Sequence, residues 1–152
     1  MSPEPTLDIT ACTILSQTRF FAGLTAAQLD RVADLGVIQE RAEGEQLYRV
    51  GEPAVEMYVL VRGMVRMAVG YGGRNASAGD ILRRGDVFGW AAMTPSCNLR
   101  LATASCIAPC TLLALDGERL LALMEQDHTL GYRLMTQLAG LITGTLTAFA
   151  GG

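Results

Sequence analysis

MYVLVRGMVRMAV, residues 57–69, decides how the chain is read. Two apolar runs rich in β-branched residues meet at Gly63, and polar or small residues stand at Arg62, Gly63, Arg66 and Ala68. Such a pattern predicts two extended strands that pair as a hairpin turning at Gly63, with Arg62 and Arg66 facing solvent.

The same texture continues on both sides. From about residue 37 to residue 115, runs such as QLYRV, EMYVLVRG, MVRMAVG, DILRRG and TLLALD are separated by Gly, Pro or Asp. Turn signals at intervals of roughly ten residues are what a sandwich or a small barrel produces. GYGGRNASAGD, residues 70–80, has no core-forming residue besides Tyr71 and reads as an exposed hairpin tip.

Helical patterns flank this β region. ITACTILSQTRFFAG predicts a short helix ending at Gly23, and in GLTAAQLDRVADLGVI Thr25 and Gln28 form the pattern of a capping box. Leu29, Val32, Ala33 and Leu35 share a face of that second helix, and Gly36 is its expected stop, so the leading helices cover about residues 8–36. After Asp116, DGERLLALMEQD starts from an Asp cap, and TLGYRLMTQLAGLITGTLTAFAGG supplies a second closing helix, the pair covering about residues 116–150. Leu130, Leu134, Leu138, Leu141 and Ile142 make an apolar stripe broken only by polar positions such as Arg133 and Gln137. The stripe predicts a homodimer packed through this helix in the manner of a coiled-coil seam; folding back on the chain's own barrel is the competing reading. Gly140, Gly144, Gly151 and Gly152 weaken the end of the helix.

With 152 residues the chain is expected to form one domain with one main site. No stretch reaches the roughly 20 apolar residues that cross a bilayer. MSPEPTLDIT carries acids and prolines where an export signal carries basic and apolar residues, so a cytoplasmic location is the expectation. Cys12, Cys97, Cys106 and Cys110 read as small apolar residues of a reduced protein, and CIAPC has neither a second pair nor a histidine to make it a zinc site. A net charge of −3 gives no basic footprint, so direct nucleic-acid binding is not expected.

The candidate site is FGWAAMTPSCNLRLATA, residues 88–104. Gly89 lets the backbone approach a ligand closely, and the residues after it can form a short helix whose first-turn N–H groups suit an anion. Arg100 can return across the loop and grip the same anion in a two-pronged contact; a turn glycine and a surface charge are the plainer reading.

The order of these features resembles the cyclic nucleotide-binding domain shared by bacterial regulators of the catabolite activator type and the regulatory subunits of cyclic-AMP-dependent kinase. The resemblance runs from about residue 20 to residue 148, with GEPAVEMYVLVRGMVRM similar to the family's signature hairpin and Gly51 and Gly63 on its turn glycines. It implies an α+β, mainly β fold: an eight-stranded jelly-roll or double-stranded β-helix, between N-terminal and C-terminal helices. It implies a ligand-sensing regulatory module that binds a small anion, cyclic AMP or cyclic GMP, and signals through the closing helices. The phosphate cassette of the family matches at Phe88, Gly89, Ala91 and Ala92, then at Arg100, Ala102 and Thr103, with Leu101 between them. The departure is Trp90. It stands where the family has a Glu that accepts a hydrogen bond from the ribose 2′-hydroxyl, and indole can only donate. Trp90 then stacks on a flat ligand, fills the pocket, or packs as core.

Other chemistries lack their residues. His128 is the only histidine and lies at a helix junction, so the imidazole cluster of a cupin metal enzyme is absent. Ser96, Cys97 and Ser105 have no nearby histidine and no Gly-x-Ser-x-Gly elbow, which predicts no enzyme. No cysteine group near the N-terminus suits an iron–sulfur cluster, and His128 is badly placed as a haem ligand. Many members of that family continue into a winged helix-turn-helix, so this is expected to be either a stand-alone domain or one whose DNA-binding portion has been left out or lost, and its expected role is a sensor or a degenerate module for dimerisation or protein contact.

Overall fold

A computed structural model of the chain describes residues 10–71 and 74–150. Two helices lead, α1 (Ala11–Ser16) and α2 (Ala26–Ala33), with a 3₁₀ turn at Arg19–Phe21 between them. The helix expected through Gly23 is thus split in two. Thr18 ends α1 in an extended conformation and its hydroxyl donates to the Ile14 carbonyl at 2.7 Å, closing the last turn. The capping box of α2 forms as expected, with Thr25 and Gln28 exchanging side-chain and backbone bonds of 3.0 and 3.2 Å.

Eight strands follow: β1 (Gly36–Arg41), β2 (Gln46–Tyr48), β3 (Glu56–Arg62), β4 (Val65–Tyr71), β5 (Arg74–Leu82), β6 (Val87–Phe88), β7 (Thr103–Cys106) and β8 (Cys110–Asp116). They form two antiparallel four-stranded sheets, ordered β1-β8-β3-β6 and β2-β7-β4-β5. Gly63 does turn the chain, at φ +102°, and Arg62 and Arg66 are exposed. The paired hairpin expected there is not what forms. β3 bonds to β8 and β6, whereas β4 bonds to β5 and β7, so Gly63 is the corner where the chain passes from one sheet to the other. A Cβ at that corner would run into the Pro109 carbonyl and the Cys110 sulfur. β4 and β5 face each other as far as Tyr71 opposite Arg74; residues 72–73, the tip of the predicted hairpin, lie outside the described residues.

Strand periodicity divides the interior into two cores. Along β8, Cys110, Leu112 and Ala114 face the inside of the roll with Tyr58, Leu60 and Phe88, while Leu113 and Leu115 face the helices. β3 alternates in the same way, with Met57 and Val59 on the helical side. A sheet covered on both faces needs nearly continuous apolar strands, which is why EMYVLV and TLLALD do not alternate with polar residues.

The helical core is closed by α3 (Gly117–Gln126) and α4 (His128–Ala150). Asp116 caps α3, its carboxylate accepting from the Arg119 amide at 2.9 Å. Leu130, Leu134 and Leu138 are buried against this chain's own Leu15, Phe20, Phe21 and Leu120, with Leu141 and Ile142 packed beside them. The apolar stripe thus packs on the chain's own core, which favours the second of its two readings, folding back on the chain itself. Gly140 and Gly144 do not end α4, which continues to Ala150. Among the described residues, no helix is long and apolar enough to cross a membrane.

Candidate functional site

The site is built on a backbone that turns twice within a few residues. β6 ends at Phe88, Gly89 takes the left-handed conformation at φ +78°, and Trp90–Met93 form a single 3₁₀ turn. Glycine is required at position 89 for two reasons. Its φ disfavours any other residue, and a Cβ there would lie 3.0 Å from Arg100 Nη1, 3.2 Å from the Glu56 carbonyl and 3.3 Å from the Tyr58 ring. The turn's first hydrogen bond runs from the Ala92 amide to the Gly89 carbonyl at 3.3 Å, so the peptide amides that precede it are those of Trp90 and Ala91.

Arg100 returns to this turn. A short antiparallel pairing carries it there: its amide donates to the Glu52 carbonyl at 2.8 Å, its carbonyl accepts from Gly51 at 2.8 Å, and Pro53 bridges Leu99. The side chain is 4% exposed. Nη1 donates to the Gly89 carbonyl at 2.9 Å and Nη2 to the Glu56 carbonyl, so the guanidinium ties the start of β3 to the start of the turn. Its Cζ lies 3.9 Å from the centre of the Tyr48 ring, a cation–π contact. Among the described residues, Arg100 Nε is the buried side-chain polar atom without a hydrogen-bond partner.

Beneath the guanidinium lies an aromatic floor. Tyr58 stacks on Phe88 at 5.3 Å and on Tyr48 at 6.2 Å. Burial pushes the Tyr48 phenol well above its ordinary pKa, with Arg100 opposing, and both tyrosines are neutral donors at pH 7. Burial also draws the Arg100 guanidinium below its usual value, while Tyr48, Tyr58, Glu56 and Glu52 act in the other direction. An arginine keeps its charge through such a shift.

Of the residues singled out in the sequence, Phe88, Gly89, Ala91, Ala92, Arg100 and Ala102 are buried at or around this turn. Ala91 and Ala92 pack on Ala54. Thr103 Oγ1 is already engaged, accepting from the Val50 amide at 3.0 Å, and Leu101 is 54% exposed. Trp90 is half-buried and packs against the helical core and against the Ala54, Ala91 and Ala92 group. Of its three readings, packing as core is the one these contacts favour. Sequence reasoning missed Tyr48, Tyr58 and Glu56. The signal was there: Glu56, Tyr58 and Leu60 occupy alternate positions of one strand, which puts all three on the roll's inner face.

Helix α3 touches the turn directly. A Cβ on Gly117 would run into the Ala92 carbonyl, and the Gly117 amide donates to the Val55 carbonyl at 2.9 Å. The separate cleft between α1 and the β3–β4 corner, about 440 Å³, is lined by Thr13, Gln17, Arg62 and Arg84 among others and includes none of Tyr48, Glu56, Tyr58, Gly89, Trp90 and Arg100. Among the described residues no three His, Cys, Asp or Glu side chains gather where a metal ion could sit.

Comparison with known proteins agrees with this fold. The chain matches the cyclic nucleotide-binding domain over residues 38–127. It belongs to that family. Its fold is similar to that of a candidate cyclic nucleotide-binding protein from Geobacter metallireducens, with a TM-score of 0.77 and 23% identity over 90% of this chain and 98% of the other. It is similar also to the regulatory domain of Toxoplasma gondii PKA, solved with cAMP, with a TM-score of 0.70 and 19% identity over 91% of this chain and 49% of the other. A candidate potassium channel protein of Rhodopseudomonas palustris is 28% identical over 80% of the chain. The chain spans 29% of the length of that curated relative. As a member of the family it is a cyclic nucleotide-binding domain, built as the expected jelly-roll between helices.

Proposed function

We propose that this cyclic nucleotide-binding domain is a sensor without catalytic activity of its own. It takes a small anion, a cyclic nucleotide or a close analogue, at Gly89, Ala91 and Arg100 and passes the event to the closing helices. The observation that carries the reading is the orphaned Nε of a buried, charged Arg100. Leaving a buried donor unpaired costs about 1–3 kcal/mol, and more on a charged group, which a ligand's oxygen would recover. The preference for an anion follows from the guanidinium's charge and its fork of donors. Transmission is supported by Gly117, since any movement of Ala92 meets the first residue of α3 without intervening space.

Calorimetry with cyclic AMP and cyclic GMP tests this. Saturable binding at micromolar concentration is expected, together with a thermal shift that Arg100→Ala abolishes. Equal indifference of both proteins to every nucleotide would overturn the sensor reading.

A second reading has its own observation. Glu52 and Glu56 both lie within electrostatic reach of Arg100 and oppose an incoming anion, which favours a ligand-free module serving dimerisation or protein contact. Tyr132 and Met135, 75% and 39% exposed and one turn apart on α4, are then the apolar surface left for a second copy. A sedimenting monomer at micromolar concentration removes that dimer.

A further inference from the structure

We propose that the Glu56 carboxylate is the group that reads a ligand hydroxyl at this site, restricting the cassette to anions that carry a hydroxyl close to the phosphate, as a ribose cyclic phosphate does. The inference rests on the sensor reading above and goes beyond it in naming what selects the ligand.

Glu56 opens β3, two positions before Tyr58, whose ring belongs to the roll's inner core. Period two therefore sets its side chain on the roll's inner face, at the start of the strand. The placement is fixed by contacts. One carboxylate oxygen accepts from the Tyr58 hydroxyl at 3.3 Å, and the Glu56 carbonyl holds Arg100 Nη2 and lies against Gly89. Acceptor and cation are thus neighbours, tied together through one residue. A carboxylate offers about four lone-pair sites, so Tyr58 leaves most of its capacity free.

The neighbouring candidates for this role are otherwise occupied. Trp90 has no acceptor and packs away into the helical core. Glu52 turns back on its own loop, where its carboxylate accepts from the Arg49 amide at 2.8 Å. Glu56 remains. Its charge alone would weaken any anion's hold on Arg100. An anion with an adjacent hydroxyl escapes that penalty, because the phosphate takes the guanidinium while the hydroxyl donates to the carboxylate, a charge-assisted bond stronger than a neutral one. The pair of opposite charges is a filter: it discriminates against bare anions and admits those with a donor beside the charge.

Calorimetry with cyclic AMP and 2′-deoxy cyclic AMP, on the full chain and on Glu56→Ala, tests the assignment. The parent is expected to prefer the ribonucleotide by roughly tenfold or more, the size of one charged hydrogen bond. Glu56→Ala should abolish that preference through loss of the ribonucleotide alone, and Glu56→Gln, which keeps a carbonyl acceptor, should retain part of it. If Glu56→Ala unfolds, a preference in Glu56→Gln that is reduced from the parent's carries the same conclusion, and an unchanged preference there opposes it. Equal strengthening of both nucleotides in Glu56→Ala would reduce Glu56 to a repelling charge and overturn the proposal. An unchanged ratio overturns it as well, leaving the sensor reading intact. Failure of the parent to bind either nucleotide sinks both.

Discussion

Arg100 is held as a structural strut and left short of one partner, and the balance between those roles sets what each residue around it tolerates. Gly89 is the most constrained. Replacing it by Ala forces a side chain into the left-handed region, at roughly 1–2 kcal/mol, and pushes a methyl toward Nη1 at 3.0 Å. Gly89→Ala is expected to lower the urea midpoint accordingly and to weaken nucleotide binding further, since the guanidinium has to yield. A normal midpoint with normal binding would show that the guanidinium has slack. Gly89 and Arg100 were legible in the sequence because each is the rare residue its place requires: a glycine ahead of a short turn, a lone arginine in an apolar strand entry. Glu56 was not, because a carboxylate next to Val55 and Met57 resembles a strand's solvated edge until the strand's inner face is known.

At the scale of elements, local chemistry was readable and long-range pairing was not. The Thr25 and Gln28 box and the Asp116 cap are decided within four residues, and both form. The strands meeting at Gly63 look like a hairpin because they adjoin in sequence; only their true partners, β8 for β3 and β7 for β4, reveal a corner. The α4 stripe announced that one face is buried without saying against what. The contact between α3 and the cassette turn is of the same non-local kind, and it predicts the behaviour of two glycines. Gly117→Ala drives a methyl into the Ala92 backbone, an overpacking that costs about 1–3 kcal/mol and displaces the turn. Gly140→Ala, with nothing within 4 Å on an exposed helical face, should instead gain roughly 0.5–1 kcal/mol. Urea denaturation of the two variants checks the opposite signs, and a nucleotide titration should show weakened binding in the first alone. Were Gly117→Ala as harmless as Gly140→Ala, the proposed route from cassette to helix would lose its rigid link.

For the molecule as a whole, the sheet β1-β8-β3-β6 is the shared wall of both cores, and this decides how the protein comes apart. Leu113 and Leu115 face the helices while Leu112 and Ala114 of the same strand face the roll, so neither core can open without exposing one face of the sheet the other needs. The two should unfold together as one cooperative unit. The single tryptophan makes this measurable, because Trp90 touches the helical core on one side and the cassette's alanines on the other. Its fluorescence and the far-ultraviolet circular dichroism of the strands and helices are expected to trace superimposable urea transitions. A cyclic nucleotide at 100 times its Kd should move both by the same amount, equivalent to about 2.7 kcal/mol. A fluorescence midpoint at lower urea than the dichroism would mean that α3 and α4 leave the roll while the sheets persist. In that case the helices move by detaching, the wall is not shared energetically, and the tight contact at Gly117 cannot be what carries the signal.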